Sequence, residues 1–214
     1  MLIGETKIDF KVSKFSYSYI QGDVALNWAT HSFMSGPSSF YDLIKIAGIQ
    51  PIEAINTFKL NIIKGGFKSG DVLSTIAGLL KFNLILHCIM PNNNDYHLTW
   101  RNIIASLKEY RKNGNICRNL YITIPKWEYA KDFIVCFLSY KDLIKDLEYV
   151  FIVKNEEERK KIESIFKSIA KKEIKKESVL LKKIDMFLEK IVLKISSMFP
   201  STVISVNGNN KKKF

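Results

Sequence analysis

Gly70-Asp71-Val72-Leu73-Ser74-Thr75-Ile76-Ala77-Gly78-Leu79-Leu80-Lys81-Phe82-Asn83-Leu84-Ile85-Leu86-His87-Cys88-Ile89-Met90-Pro91 is the stretch on which the fold turns. A β-branched run follows Gly70, a bend falls at Gly78, and an apolar run is halted by Pro91, which has no N–H to extend a ladder. Two strands joined by a short turn are the reading, both expected at the centre of a sheet. His87 sits in the second strand. With no other histidine or carboxylate at a dyad or metal-pair spacing, it reads as a satisfied core histidine and not as a catalyst.

Toward the N-terminus, 8–12 and 15–20 read as strands, the latter with Phe15, Tyr17 and Tyr19 alternating against Ser16 and Ser18. A third strand over 22–30 runs into the loop 31–39, and a helix over 40–47 is stopped by Gly48. A helix over 51–58 and the loop 64–70 complete this half. That loop combines glycines with lysines but lacks Walker A spacing, so it reads as a connection. Toward the C-terminus the pattern predicts a helix over 98–110 with Leu98, Ile103, Leu107 and Tyr110 on one side. A strand over 119–124 stops at Pro125, a helix covers 130–145 and a strand covers 149–153. A capping box at Asn155-Glu156-Glu157-Glu158 then opens a helix that runs to about Ala170. Strands alternating with helices predict an α/β fold in three layers, a mixed sheet flanked by helices, with a C-terminal helical extension.

The order and spacing of these segments resemble the macro-domain family. There a Gly-acidic-Ala-x-x-Thr strand precedes a strand ending in Ile-His-x-x-x-Pro, and Gly70, Asp71, Thr75, His87 and Pro91 stand at matching positions. Asn27, Ala29, Gly36, Ala47 and Gly48 likewise fall on the family's Asn-Ala-Ala-Asn strand end, glycine-rich loop and Ala-Gly helix end. The resemblance covers residues 5–170 and implies recognition or hydrolysis of ADP-ribose. It also marks departures at the working positions. Thr30 stands where the second asparagine holds the distal ribose, and Ser35, Pro37 and Ser38 replace most of the glycines that let backbone N–H groups approach phosphate. After Pro125 the family has a Ser/Thr-Gly-x-x-Gly loop. Here Lys126-Trp127-Glu128-Tyr129 follows at once, and no glycine lies between Gly114 and Gly208. Asp23 has two readings: the family's adenine-contacting aspartate if the next strand is shortened, or a structural turn residue if it is not. The candidate ligand residues are therefore Asp23, Asn27, Thr30 and Gly36, in a degenerate pocket with no catalytic residue, no cofactor and no metal site.

Charge adds a second theme. The chain carries a net +12; residues 1–153 hold 17 Lys+Arg and 13 Asp+Glu, whereas 154–214 hold 16 and 8. A basic segment of this kind is suited to a polyanion, or to a solvated helix face. Leu180, Ile184, Phe187, Leu188, Ile191, Ile195 and Met198 recur at helical spacing, which predicts an amphipathic basic helix over 171–200 after a domain at 1–170, with a basic tail at 201–214. Lys171, Lys172, Lys175, Lys176, Lys182 and Lys183 are the candidate nucleic-acid contacts. The reading that combines both themes is a non-catalytic module contacting RNA or a ribonucleoprotein. Its alternatives are an ADP-ribose or related nucleotide binder or hydrolase, and a protein-binding scaffold using the C-terminal helix. Three cysteines without a C-x-x-C pair fit a reducing compartment, cytoplasm or organelle matrix, and no apolar run is long enough to span a membrane.

Overall fold

In the computed structural model the described residues are 1–13, 17, 19–30, 46–61, 66–93, 95–125 and 127–169. The strands are β1 (Leu2–Ile3), β2 (Thr6–Val12), β3 (Gln21–Ala29), β4 (Val72–Thr75), β5 (Lys81–Ile89), β6 (Asn119–Thr123) and β7 (Glu148–Val153). The helices are α1 (Ile49–Asn61), α2 (His97–Lys112), α3 (Ala130–Tyr140) and α4 over 156–169. All seven strands join one mixed sheet in the order β1-β2-β7-β6-β3-β5-β4. The five from β2 to β5 are parallel, and β1 and β4 run antiparallel along the two edges.

Parallel strands covered on both faces have little use for alternation, and β3 is buried without a break from Val24 to Ala29. One face sets Val24, Leu26 and Trp28 with Leu86, Ile122 and Phe151 against the apolar sides of α2 and α3. Aromatic edge-to-face contacts hold this layer: Trp28 meets Phe133 at 5.4 Å and Tyr96 at 5.8 Å, and Tyr96 meets Phe133 at 5.2 Å. The opposite face gathers Ala25, Ile85, Tyr121 and Ile152, while Ile55 of α1 packs with Ala29, Leu73 and Ile89. Helices on both sides of the sheet make the three-layer α/β architecture.

The 70–91 hairpin forms as expected, with β4 pairing antiparallel to β5 from Thr75↔Ile85 to Val72↔Cys88. Gly78 is required at its bend: φ is +60°, and a Cβ there would lie 2.1 Å from the Ala47 carbonyl oxygen. That carbonyl accepts the Leu79 N–H at 2.9 Å, which ties the hairpin tip to the preceding helix end. At the start of α4, the Asn155 side chain accepts the Glu158 N–H at 2.9 Å, and Glu158 accepts the Lys154 N–H at 2.8 Å.

Four expectations need correction. β4 is an edge strand, because only β5 pairs with it. The described part of 15–20 is a turn, closed by Ile20 N–H to the Tyr17 carbonyl at 3.3 Å, and the two tyrosines part company: Tyr17 is 1% exposed and Tyr19 80%. On α2 the buried stripe is Thr99, Trp100, Ile103, Ile104 and Leu107, because the large indole of Trp100 wins the inner position and leaves Leu98 exposed. The helix over 130–145 ends early at Tyr140 and passes into a 3₁₀ turn at Lys141–Leu143, where the Lys141 carbonyl accepts the buried Tyr149 hydroxyl at 2.9 Å. Residues Met1–Ile169 form one compact unit. The expectations for 171–200 and 201–214 lie outside the described residues. Among the described residues, no helix is long and apolar enough to cross a membrane.

Candidate functional site

From β3 the chain moves outward to β5, then crosses back to place β6 on the other side of β3. The β3–β6 junction is thus the topological switch point, and open α/β sheets bind ligands beyond the carboxyl ends of such strands. The two ladders of β3 differ there. Pairing with β5 continues to Ala29↔Ile89, whereas pairing with β6 stops at Leu26↔Ile122. Two side chains occupy the place where the second ladder ends. The Trp28 indole N–H donates to the Thr123 carbonyl at 2.7 Å. The buried Tyr17 hydroxyl donates to the Leu26 carbonyl and lies against Thr123, and burial raises its pKa, which keeps the phenol protonated. Ala29 at the end of β3 and half-buried Thr30 after it, and Ile124 and Pro125 beyond β6, follow these floor residues in the chain. Met90, just past β5, braces this end by donating its N–H to the Ala29 carbonyl at 2.9 Å.

Beneath that end runs a buried polar chain. Asn27 Nδ2 lies 3.1 Å from His87 Nδ1, His87 Nε2 lies 2.8 Å from Thr75 Oγ1, and the Thr75 hydroxyl donates to the Ile76 carbonyl at 3.1 Å. With the one Thr75 hydroxyl proton given to Ile76, His87 Nε2 donates to Thr75 and Nδ1 accepts from the Asn27 amide. Burial pushes the His87 pKa down to about 3 and the ring stays neutral. That polarity leaves Asn27 Oδ1 buried without a hydrogen-bond partner among the described residues, and Thr123 Oγ1, beside the Tyr17 hydroxyl, has none of ordinary geometry there. Continuing the Leu26↔Ile122 register by one residue sets Asn27 beside Thr123 on the same face of the sheet. Both oxygens therefore adjoin the floor of the switch point. Buried polar groups are normally satisfied, and one that is not marks a place for water or a polar ligand.

Asp23 stands at the other end of β3. Its Oδ2 accepts the N–H of Arg118 at 2.6 Å and of Asn119 at 3.3 Å, while its own N–H donates to Asn119 Oδ1 at 2.7 Å. Of the sequence-derived candidates, Asn27 and Thr30 come together at the switch-point end, and Asp23 is placed four residues before Asn27, about 13 Å along the strand. Gly36 and the six lysines from Lys171 to Lys183 lie outside the described residues. After Pro125 the chain turns at once into a 3₁₀ turn (Trp127–Tyr129) and then α3, with no loop between. Sequence reasoning missed Tyr17 and Thr123. Tyr17 was absorbed into an alternating aromatic pattern, and a single threonine before a proline at a strand end was the only signal for Thr123.

No sequence-family model matches the chain, and no curated protein matches it in sequence. Solved structures do. The Oceanobacillus iheyensis macrodomain with ADP superposes with a TM-score of 0.66 at 17% identity, covering 80% of this chain and 96% of that one. The same macrodomain with MES bound gives 0.67 at 15%, with the same coverage. The Trypanosoma brucei macrodomain in complex with ADP-ribose gives 0.58 at 18%, covering 73% of this chain and 68% of that one. These superpositions cover most of the chain, and the chain has the macrodomain fold.

Proposed function

We propose that this chain is a non-catalytic nucleotide-binding module that takes an ADP-ribose-type ligand at the carboxyl ends of β3 and β6. The observation carrying the reading is the buried Asn27 Oδ1, which has no hydrogen-bond partner among the described residues, with the Thr123 hydroxyl at the same end of the sheet. They are acceptors suited to the hydroxyl and amino donors of a nucleoside. The similar macrodomains solved with ADP and with ADP-ribose support the ligand class. The direct passage from Pro125 into a helical turn leaves no loop to wrap the distal ribose, and Thr30 replaces the asparagine expected there. Catalysis by positioning needs that framework, so hydrolysis is not part of the proposal. Three buried free cysteines, Cys88, Cys117 and Cys136, suit a reducing compartment.

Calorimetric titration of the whole chain with ADP-ribose, ADP and AMP tests the reading. Saturable binding of ADP-ribose and ADP with affinities within about tenfold of each other is expected, because the distal ribose adds little without its loop. No saturable binding at millimolar ligand overturns it. Release of ADP-ribose from a modified protein well above a buffer control overturns the non-catalytic part.

A second reading rests on the charge of residues 154–214, which hold 16 Lys+Arg against 8 Asp+Glu. RNA or a ribonucleoprotein would be held there through Lys171, Lys172, Lys175, Lys176, Lys182 and Lys183. About five phosphate contacts give a slope of log affinity against log salt near −3.5 to −4.5. Anisotropy titrations of single-stranded and duplex RNA measure it. Glutamate at Lys171, Lys172, Lys175 and Lys176 together flattens the slope, and unchanged affinity and slope would dispose of this reading.

A further inference from the structure

Asp95, His97 and Cys136 bring one carboxylate oxygen, one imidazole nitrogen and one thiol sulfur within 4.8 Å of one another. They share no sequence motif: 95 and 97 flank Tyr96 at the start of α2, and 136 lies in the middle of α3. The framework beneath them is set without any ion. Tyr96 is fully buried and its ring meets Phe133 at 5.2 Å, while Trp100 meets Phe137 at 5.2 Å, so ring contacts lock the two helices right beside the cluster. With Tyr96 turned inward, its two neighbours are held outward and exposed, above the buried Cys136 sulfur.

The donors also keep positions free for an ion. Asp95 Oδ1 accepts the His97 backbone N–H at 3.0 Å, which fixes the carboxylate and leaves Oδ2 without a partner among the described residues. The His97 ring leans against Tyr140 at 5.7 Å, and neither ring nitrogen has a hydrogen-bond partner among the described residues. Donors that converge on a rigid base, two of them exposed and the buried sulfur held by the Tyr96 backbone N–H, are what an unliganded metal site requires.

We infer that Asp95, His97 and Cys136 form a binding site for a divalent transition-metal ion of the zinc class. Bond lengths of about 2.0–2.3 Å around a tetrahedral ion separate its ligands by about 3.3–3.8 Å. The observed spread closes by about 1 Å through rotation of the two exposed side chains. Thiolate and imidazole reject calcium and magnesium, which take oxygen ligands. Binding releases the thiol proton to solvent, and thiolate and carboxylate together neutralise the ion. Three protein ligands leave the fourth position to water, the open form of such sites and not the closed structural one.

The untagged full chain, reduced and freed of metal by chelation and dialysis, is titrated with Co²⁺ and then Zn²⁺. One equivalent of Co²⁺ should bind with a thiolate-to-cobalt charge-transfer band in the near ultraviolet and visible bands of tetrahedral intensity, and Zn²⁺ should displace it. His97→Ala and Asp95→Ala should each weaken binding by at least about tenfold. Cys136→Ser should abolish the charge-transfer band, while Cys117→Ser should leave it intact. The site is disproved if no saturable binding occurs, if the band survives Cys136→Ser, or if His97→Ala binds Co²⁺ as tightly as the parent. Because Cys136 is buried, the two exposed-residue variants decide the matter should Cys136→Ser fail to fold.

Discussion

The two ends of the β3–β6 pair are built from similar residues and finished differently. At the amino end, Asp23 and Asn119 exchange hydrogen bonds with each other's backbone, and Asp23 also takes the Arg118 N–H. At the carboxyl end, Asn27 spends its amide nitrogen on His87 while its oxygen has no partner among the described residues, and the Thr123 hydroxyl has only the Tyr17 hydroxyl against it. A closed polar network stabilises a strand junction, whereas an open one costs stability unless something fills it. The contrast sets an aspartate whose hydrogen bonds close one end against an asparagine whose oxygen has no partner among the described residues at the other, the end to which the proposal assigns the ligand.

The strongest test of that contrast is pH. Folding holds His87 neutral with a pKa of about 3, against 6.5 for the free side chain. The unfolded chain therefore binds the extra proton first, and stability falls as pH drops from about 6.5 toward 3, with no further loss from this group below that. Between pH 7 and 4.5 the loss from His87 is about 2–3 kcal/mol. Urea unfolding at the two pH values measures the total, and NMR isolates the residue: its ring signals should not titrate above pH 4.5. A midpoint near 6 would mean that the ring can charge in place, that Asn27 turns its oxygen to it, and that the open end is not open.

Asp23→Ala comes next. It strips acceptors from the Arg118 and Asn119 amides at the closed end and should cost about 1–2 kcal/mol in urea unfolding, with ADP-ribose affinity unchanged. A large loss of affinity with little loss of stability would return Asp23 to the ligand and erase the distinction between the ends.

Trp28→Phe keeps the ring but removes the N–H that reaches Thr123 across the unpaired part of the junction. About 1 kcal/mol should be lost, seen as a lower thermal midpoint, with faster amide exchange concentrated in 122–124. Uniform exchange throughout β6 would show that the indole is not what closes the gap.

Thr123→Val is the smallest change in stability and the sharpest probe. Removing a buried hydroxyl with no partner of ordinary geometry should be neutral or slightly stabilising, within about 0.5 kcal/mol, and should weaken ADP-ribose binding about three- to tenfold. Destabilisation beyond about 1 kcal/mol would mean that the hydroxyl is satisfied in the protein and that the open end has one orphan fewer.

Much of the fold was legible because the signals are local. Gly78, Pro91 and the apolar run between them specify the hairpin wherever it lies, and Asn155 with Glu158 specifies the start of α4. The errors fell where several candidates competed for one place. Tyr17 and Tyr19 have the same residue type and alternate alike, but one is drawn beneath the sheet by Phe82 and Leu26 and the other is not. Trp100 displaced Leu98 from the inner face of α2 because the space between α2 and α3 is filled by rings. The resemblance singled out Asn27 and Thr30, but nothing in Leu-Tyr-Ile-Thr-Ile says which strand will lie beside Thr123.

By itself the sequence determined most of the elements, their order, the buried histidine and the short passage after Pro125, because turns, breakers and periodicity act over a few residues. Tertiary structure alone decided three things. The hairpin's first strand lies at the sheet edge, Asp23 and Asn27 serve opposite ends of one strand, and Asp95, His97 and Cys136 meet. Each of these depends on which segments distant in the chain become neighbours, and that is set by how the whole apolar surface of the sheet and helices can be buried at once.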